Sequence, residues 1–310
     1  MMYRSWLVVP AHNEKRLFRA VGSGADAIVL DLVDADPLAG RRPARQQAVE
    51  WLHAHRAQVT EHKFARWVRI NPFDNGAEWR EDLLAVMPAA PDGIVLPRAA
   101  GPDAVRQLAA ELYEIEQRCQ VAANSTHIIP MVAQSAQAAL ATPQYAENGH
   151  QRIFGLGWDA DTLAADIGAT RIRGDAGVMT EAFRFGRAQT LLTAHACGLL
   201  ALDTLAPPAS DGDEAPRRAA QARADGFSGL FVSHPGQVAA VNEAFTPSAN
   251  ELRNARDIVA AFDANSGGSA PSLHGHPLPA SNLRLAQRTL GQVHGPAHRQ
   301  SELQSTLRPA

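Results

Sequence analysis

The chain has 310 residues, 45% of them hydrophobic and 20% charged, which suits a folded protein with ample core material and excludes collagen, coiled coil and disorder of the whole chain. Lys and Arg number 29 against 32 Asp and Glu, a formal net charge of -3, so no broad basic field for nucleic acid is expected. Only Cys119 and Cys197 are present, which argues against a disulfide framework or a cysteine zinc site and predicts a reducing, cytoplasmic setting; neither a signal-peptide pattern nor an apolar run of about 18 residues is seen, so no membrane span is expected.

Short apolar runs alternate with helix-like stretches. Residues 6–10 read as a strand and 15–21 as part of a helix. The run 27–32 has strand length, and 41–58 carries helical spacing through Val49 and Leu52. Strands at 67–71 and 93–96 precede helices at 79–87 and 103–117. A fifth strand covers 128–132 before the Ala-rich 135–141, and a sixth covers 152–156. A long helix at 180–196 leads to strands at 199–205 and 229–232, with helices at 215–224, 237–245 and 250–265. Near-continuous apolar strands separated by helices predict a parallel sheet covered on both faces. Eight such units match an α/β fold of the (β/α)8 TIM barrel type; an open doubly wound sheet is the alternative, because alternation does not reveal closure.

Composition shifts after Asn265. The division expected is a barrel domain over 1–265 and a C-terminal extension over 266–310: a Gly-, Ser-, Pro- and His-rich linker to 280, a helix around 283–290, and a frayed tail. The helix packs either on a neighbouring subunit or the barrel mouth, or on its own barrel.

In such barrels chemistry gathers at the C-terminal strand ends. There the sequence offers Asp31, Asp34 and Asp36, then Arg69 and Asn71, Arg98, Gln134, Asp159 and Asp161, and finally His234 and Pro235. Arg69 can grip a carboxylate or an enolate through two parallel hydrogen bonds; a structural salt bridge is the other reading. Carboxylates from separate strand ends suit Mg²⁺, which takes few protein oxygens and keeps waters; alternatively each Asp caps the helix that follows it. Gly155-Leu156-Gly157 lacks the third glycine of a dinucleotide fingerprint, and neither a P-loop nor an HExxH motif occurs.

The strand ends carry, in order, Arg4-Ser5-Trp6-Leu7-Val8-Val9-Pro10, Gly24-Ala25-Asp26-Ala27-Ile28-Val29-Leu30-Asp31-Leu32-Val33-Asp34, Val68-Arg69-Ile70-Asn71, Ile94-Val95-Leu96-Pro97-Arg98 and Ser233-His234-Pro235-Gly236-Gln237. Taken together and in this order, these segments resemble the citrate lyase β-subunit-like branch of the HpcH/HpaI aldolase/citrate lyase family. The resemblance implies a trimeric or hexameric barrel that cleaves a carbon–carbon bond in a 3-hydroxyacyl thioester with Mg²⁺, yielding a ketoacid and an acetyl-type thioester. It further implies that Arg69 holds the enolate, with Asp34 in the catalytic or metal-binding set. Asn71, Arg98, Gln134, His234 and Pro235 fall to substrate binding, and Asp159 or Asp161 to the metal.

The departures from the family pattern are specific. The strand-5 glutamate position is Ala133, the family Glu in the run after strand 2 is Val33, and the Glu after strand 4 is Ala100. The metal Asp after strand 6 falls on Thr162 unless shifted by one to Asp161. The tail motif that carries a proton-donating acid reads Gly275-His276-Pro277-Leu278-Pro279. A rebuilt lyase site and a non-catalytic relative that binds acyl-CoA or a dicarboxylate both follow from this reading.

Overall fold

A computed structural model describes residues 3–33, 41–56, 64–175, 177–205, 214–265 and 271–294. These residues fall into two compact units, one spanning Arg4–Glu243 and the other beginning at Ala244 and including Tyr3.

The first unit holds eight strands: β1 Ser5–Pro10, β2 Ala27–Asp31, β3 Ala65–Arg69, β4 Gly93–Leu96, β5 His127–Pro130, β6 Gly155–Gly157, β7 Leu200–Thr204 and β8 Gly229–Val232. Every residue of β2, β4 and β8 is buried, as expected of strands covered on both faces. The strands run in the order β5-β4-β3-β2-β1-β8-β7-β6, and each neighbouring pair is parallel. Parallel bridges Ile128–Ile153 and Met131–Gly157 join the two ends of this row. The Ile128 amide donates to Arg152 O at 2.8 Å and the Val132 amide to Gly157 O at 2.7 Å. The row therefore closes on itself, and the open-sheet alternative is overturned.

Between the strands lie α1 Glu14–Val21, α2 Arg41–Ala54, α3 Glu78–Val86, α4 Pro102–Cys119, α5 Ala136–Ala141, α6 Gln144–Glu147, α7 Ala160–Ile167, α8 Glu181–Ala196 and α9 Glu214–Asp225, and α10 Val238–Phe245 follows β8. Helix α7 was absent from the sequence expectation: eight residues give little periodicity, and its start is marked only by its cap, Asp159.

Aromatic rings fill the lower barrel. Trp6 meets Trp67 edge-on at 5.1 Å and Phe231 at 5.8 Å, and Phe154 lies 5.6 Å from Trp67. Glycine makes this possible. A Cβ on Gly93 would lie 2.2 Å from the Trp67 ring, and one on Gly157 would lie 2.7 Å from Met131 Sδ. Large side chains thus occupy the space these two glycines leave free, and the barrel beneath the cavity is packed rather than open.

The ring closure between β5 and β6 is braced by a buried ion pair. Glu116 of α4 is 0% exposed and accepts both Arg152 guanidinium nitrogens at 2.7 Å, together with the Asn124 and Thr126 amides. Burial alone would raise the Glu116 carboxyl; the bonds from Arg152, Asn124 and Thr126 outweigh it and hold the group below the ordinary glutamate value.

In the second unit, α11 (Ala249–Asp263) starts at a reciprocal cap: Ser248 Oγ accepts the Glu251 amide at 3.2 Å, and the Glu251 carboxylate accepts the Ser248 amide at 2.7 Å. A two-stranded antiparallel hairpin, β9 Ser272–Leu273 and β10 His276–Pro277, occupies part of the stretch expected as linker. Helix α12 runs Ala280–His294, longer than expected, and packs along α11. Helix α11 shares its packing with α12 and the hairpin, and the second compact unit begins at Ala244. No described helix is long and apolar enough to cross a membrane.

Candidate functional site

At the C-terminal strand ends the barrel opens into a cavity of about 400 Å³. Its floor is set by sheet register. Pro10 pairs with Asp31, Asp31 with Arg69, and Arg69 with Val95, so these four residues form one layer, and all four line the cavity. Cross-strand neighbours in one layer point to the same side, which brings the Asp31 carboxylate against the Arg69 guanidinium. Arg69 Nε donates to Asp31 Oδ1 at 2.7 Å and an Arg69 terminal nitrogen donates to Asp31 Oδ2. Asp31 Oδ1 also accepts the Val33 amide at 3.0 Å. Asp31 is 1% exposed, so a planar cation is fixed by two parallel bonds to a desolvated anion. Of the two readings of Arg69 the ion pair is present, and the side chain also lines the cavity.

The β4–β5 side is built differently. Arg98 and Ala133, at the ends of these strands, both take left-handed backbone conformations, φ 51° and 55°. Such non-glycine positions cost on the order of 1 kcal/mol or more and cluster at functional sites. Ala133 is buried and its methyl faces α8, where a Cβ on Gly186 would approach it to 3.3 Å. Its neighbour Gln134 lines the cavity instead and accepts the Arg98 amide at 2.7 Å. The Arg98 side chain reaches Asp74 at 2.9 Å and Asp166 at 3.5 Å.

At the end of β6, Asp159 caps α7, accepting the Asp161 amide at 3.1 Å and the Thr162 hydroxyl at 2.5 Å. The Thr162 oxygen in turn receives Gln134 Nε2 at 3.5 Å. Asp159, Asp161, Thr162 and Gln134 all line the cavity. Burial first, then the neighbouring charge of Asp159, pushes the Asp161 carboxyl above its ordinary value. Behind them the turn is clamped: Trp158 Nε1 donates to Asp203 at 2.6 Å, Arg187 pairs with Asp203 at 2.8 Å, and Thr204 Oγ1 donates to Trp158 O at 2.6 Å.

The remaining expected residues lie elsewhere. Asn71 is 1% exposed and donates to Asp82 at 2.8 Å, and Asp82 in turn holds Arg45 at 2.7 Å. It ties β3 to α2 and α3 and does not line the cavity. His234 caps the short turn that follows β8, its Nδ1 accepting the Gly236 amide at 3.1 Å, and Pro235 opens that turn; neither lines the cavity. Asp34 and Asp36 lie outside the described residues. Arg16 was missed: it sits in the first turn of α1, reaches the cavity and donates to Ser233 O at 2.8 Å. A single arginine in an amphipathic helix carries no sequence signal for that placement.

Among the described residues no three His, Cys, Asp or Glu side chains converge as a metal cage. Among the described residues lining the cavity the other carboxylates, besides Asp31 on its cation Arg69, are Asp161 and Asp159, the latter accepting from the Asp161 amide and the Thr162 hydroxyl. Two carboxylates facing one cavity, with like charge raising one of them, suit a hydrated Mg²⁺ completed by ligand oxygens.

The model of the HpcH/HpaI aldolase/citrate lyase family matches residues 4–235. The chain is 28% identical over 296 residues to the mitochondrial citramalyl-CoA lyase of Rattus norvegicus, covering 92% of this chain and 84% of that protein. It is 31% identical over 271 residues to the (3S)-malyl-CoA thioesterase of Cereibacter sphaeroides, covering 84% and 83%. Among solved structures, CitE from Mycobacterium tuberculosis in complex with magnesium, acetoacetate and coenzyme A matches with a TM-score of 0.71 at 25% identity, over 95% of this chain and 99% of that one.

Proposed function

The chain belongs to the HpcH/HpaI aldolase/citrate lyase family, and from that premise we propose that it cleaves the C2–C3 bond of a 3-hydroxyacyl-CoA, releasing a ketoacid and an acetyl-type thioester. The single observation that carries this reading is the Arg69 guanidinium fixed on buried Asp31 at the floor of a cavity whose wall bears Asp159 and Asp161.

In the proposed reaction the C3 hydroxyl gives up its proton and becomes the ketoacid carbonyl. The C2–C3 electron pair moves into the thioester as an enolate, and C2 then takes up a proton. Negative charge develops on the thioester oxygen, and Arg69 places a preorganised cation there without having to reorient during the step. Asp31 holds that orientation. Asp159 and Asp161, with Gln134 and Asp34 as further oxygen donors, would hold Mg²⁺, which supplies Lewis-acid polarisation of the ketoacid oxygens when bound. Arg98 contributes to substrate binding from the β4 end. Asn71, His234 and Pro235 do not line the cavity, and no substrate contact is assigned to them.

A cytoplasmic homo-oligomer, a trimer or hexamer, is part of the proposal. It is supported by the family resemblance and, for the compartment, by two free cysteines. The test is incubation with citryl-, malyl- and citramalyl-CoA in Mg²⁺, trapping the ketoacid by its carbonyl and the freed thioester by mass. Cleavage of one of the three that is lost on chelation is expected. Thioester binding without cleavage would favour the non-catalytic alternative, to which the methyl of Ala133 lends weight.

A further inference from the structure

The strand that leads to the two cavity aspartates is short. β6 is three residues long, Gly155–Gly157, and two of the three are glycine. It brings few ladder bonds and little side-chain packing to fix where the chain goes next. Asp159 follows two residues later and lines the cavity, so what holds it there comes from outside the strand.

The residue between, Trp158, is gripped by two consecutive residues at the end of β7. Its indole Nε1 donates to Asp203 Oδ1 at 2.6 Å, and its carbonyl accepts the Thr204 hydroxyl at 2.6 Å. Trp158 is 1% exposed and Asp203 6%, and neither lines the cavity. Asp203 is fixed in its turn. Oδ1 also accepts the Thr204 amide at 2.9 Å, and Oδ2 accepts Arg187 Nε at 2.8 Å. Arg187 is anchored on Asp225 at 2.7 Å and lies over the Phe227 ring at 4.5 Å. Beside it on α8, Gly186 lets the helix back closely onto both turns of this wall. A Cβ there would come within 3.3 Å of Ala133 Cβ, 3.6 Å of Leu163 Cδ2 and 3.9 Å of the Trp158 ring. A buried carboxylate outside the cavity, bonded to the residue that precedes Asp159, is placed to orient rather than to react.

Resting on the Mg²⁺ reading of Asp159 and Asp161, we propose that Asp203 is a positioning residue: through the Trp158 indole it holds the Asp159 turn in the cavity wall and thereby sets Mg²⁺ affinity. Arg187 keeps the Asp203 carboxylate charged and aimed, and the Thr204 hydroxyl fixes the main chain of the same turn.

Calorimetric titration of Mg²⁺ alone into wild type, Trp158→Phe, Asp203→Asn and Asp225→Asn, with Tm recorded for each, tests the assignment. Trp158→Phe keeps a ring and deletes the N–H, and it should weaken Mg²⁺ binding about tenfold, the scale of losing a group that supports a metal ligand. Asp203→Asn keeps an acceptor oxygen without the charge and should weaken binding severalfold. Asp225→Asn removes the other carboxylate of Arg187 and leaves the Trp158–Asp203 bond in place. It should lower Tm and still bind Mg²⁺ as wild type does, which separates positioning from general loosening. Wild-type Mg²⁺ affinity in Trp158→Phe or in Asp203→Asn overturns the assignment and spares the metal reading, and so do equal losses in all three variants. Should Trp158→Phe fail to fold, Asp203→Asn against Asp225→Asn decides. A wild-type chain that binds no Mg²⁺ overturns both.

Discussion

The two walls of the cavity were made by different means. On the β2–β3 side, Asp31 and Arg69 are register partners on adjacent strands, and their pairing follows from the ladder itself. On the β5–β6 side, a methyl stands where the family resemblance places a carboxylate, and neutral groups take over. Arg98, Gln134, Thr162 and Asp159 are linked in one chain of hydrogen bonds. The contrast separates what the fold must keep from what it can rebuild. A charge pair set in the sheet follows from strand register, whereas the strand-end turn with a methyl at Ala133 is held by the amide side chain of its neighbour Gln134.

The largest effect should come from breaking the β2–β3 wall. Arg69→Ala should lower kcat for thioester cleavage by about 10²–10³-fold, the scale of losing one transition-state donor. Turnover kinetics at saturating Mg²⁺ check this, and an effect under tenfold would place the enolate elsewhere.

The barrel closure carries the next effect. Replacing one member of a buried ion pair costs about 3–5 kcal/mol, so Arg152→Ala should lower Tm strongly, while Arg152→Met together with Glu116→Leu should recover much of the loss. The pH dependence has a defined sign. Glu116 is held below its ordinary value when folded, so its contribution is fully present above the unfolded value of about 4.3 and fades as pH falls through the lower folded value. Glu116→Gln should flatten the fall of Tm in that acidic window; a slope equal to wild type would remove Glu116 from the account.

The rebuilt wall offers a finer contrast. Gln134→Glu puts a carboxylate into the cavity and should tighten Mg²⁺ binding about tenfold, one charge's worth at a partly screened site. Ala133→Glu forces the same group toward α8 and Gly186 and should destabilise the chain without any gain in Mg²⁺ affinity. Titration of Mg²⁺ into both variants distinguishes them, and a gain in the second alone would reverse the assignment of positions. Smallest of all, Thr162→Val removes one hydroxyl from Asp159 and should weaken Mg²⁺ binding by severalfold, about 1 kcal/mol or less.

How far the sequence reaches follows the same divide. The apolar runs place the strands because a sheet buried on both faces leaves little room for polar residues. Asp31, Arg69, Arg98, Gln134, Asp159 and Asp161 are legible as strand-end residues for that reason, and all six line the cavity. Side-chain direction is less legible. Asn71 stands two residues beyond Arg69 and turns outward to Asp82, and the methyl of Ala133 turns away where Gln134 turns in. A left-handed residue at a strand end resets the two-residue alternation, and nothing in the residues Ala133 or Arg98 signals it. Arg16 escapes for a different reason, since its place at the cavity comes with a contact to Ser233, 217 positions away.

The central claim is that Asp31 and Arg69 act as one device, the first through the second. Single-turnover cleavage rates of the thioester by Asp31→Asn, Arg69→Ala and the double variant test it most directly. The double variant should be no slower than Arg69→Ala alone, as for residues acting as a unit. Multiplying penalties would mean that Asp31 touches the reaction on its own and that the pair is not the device described.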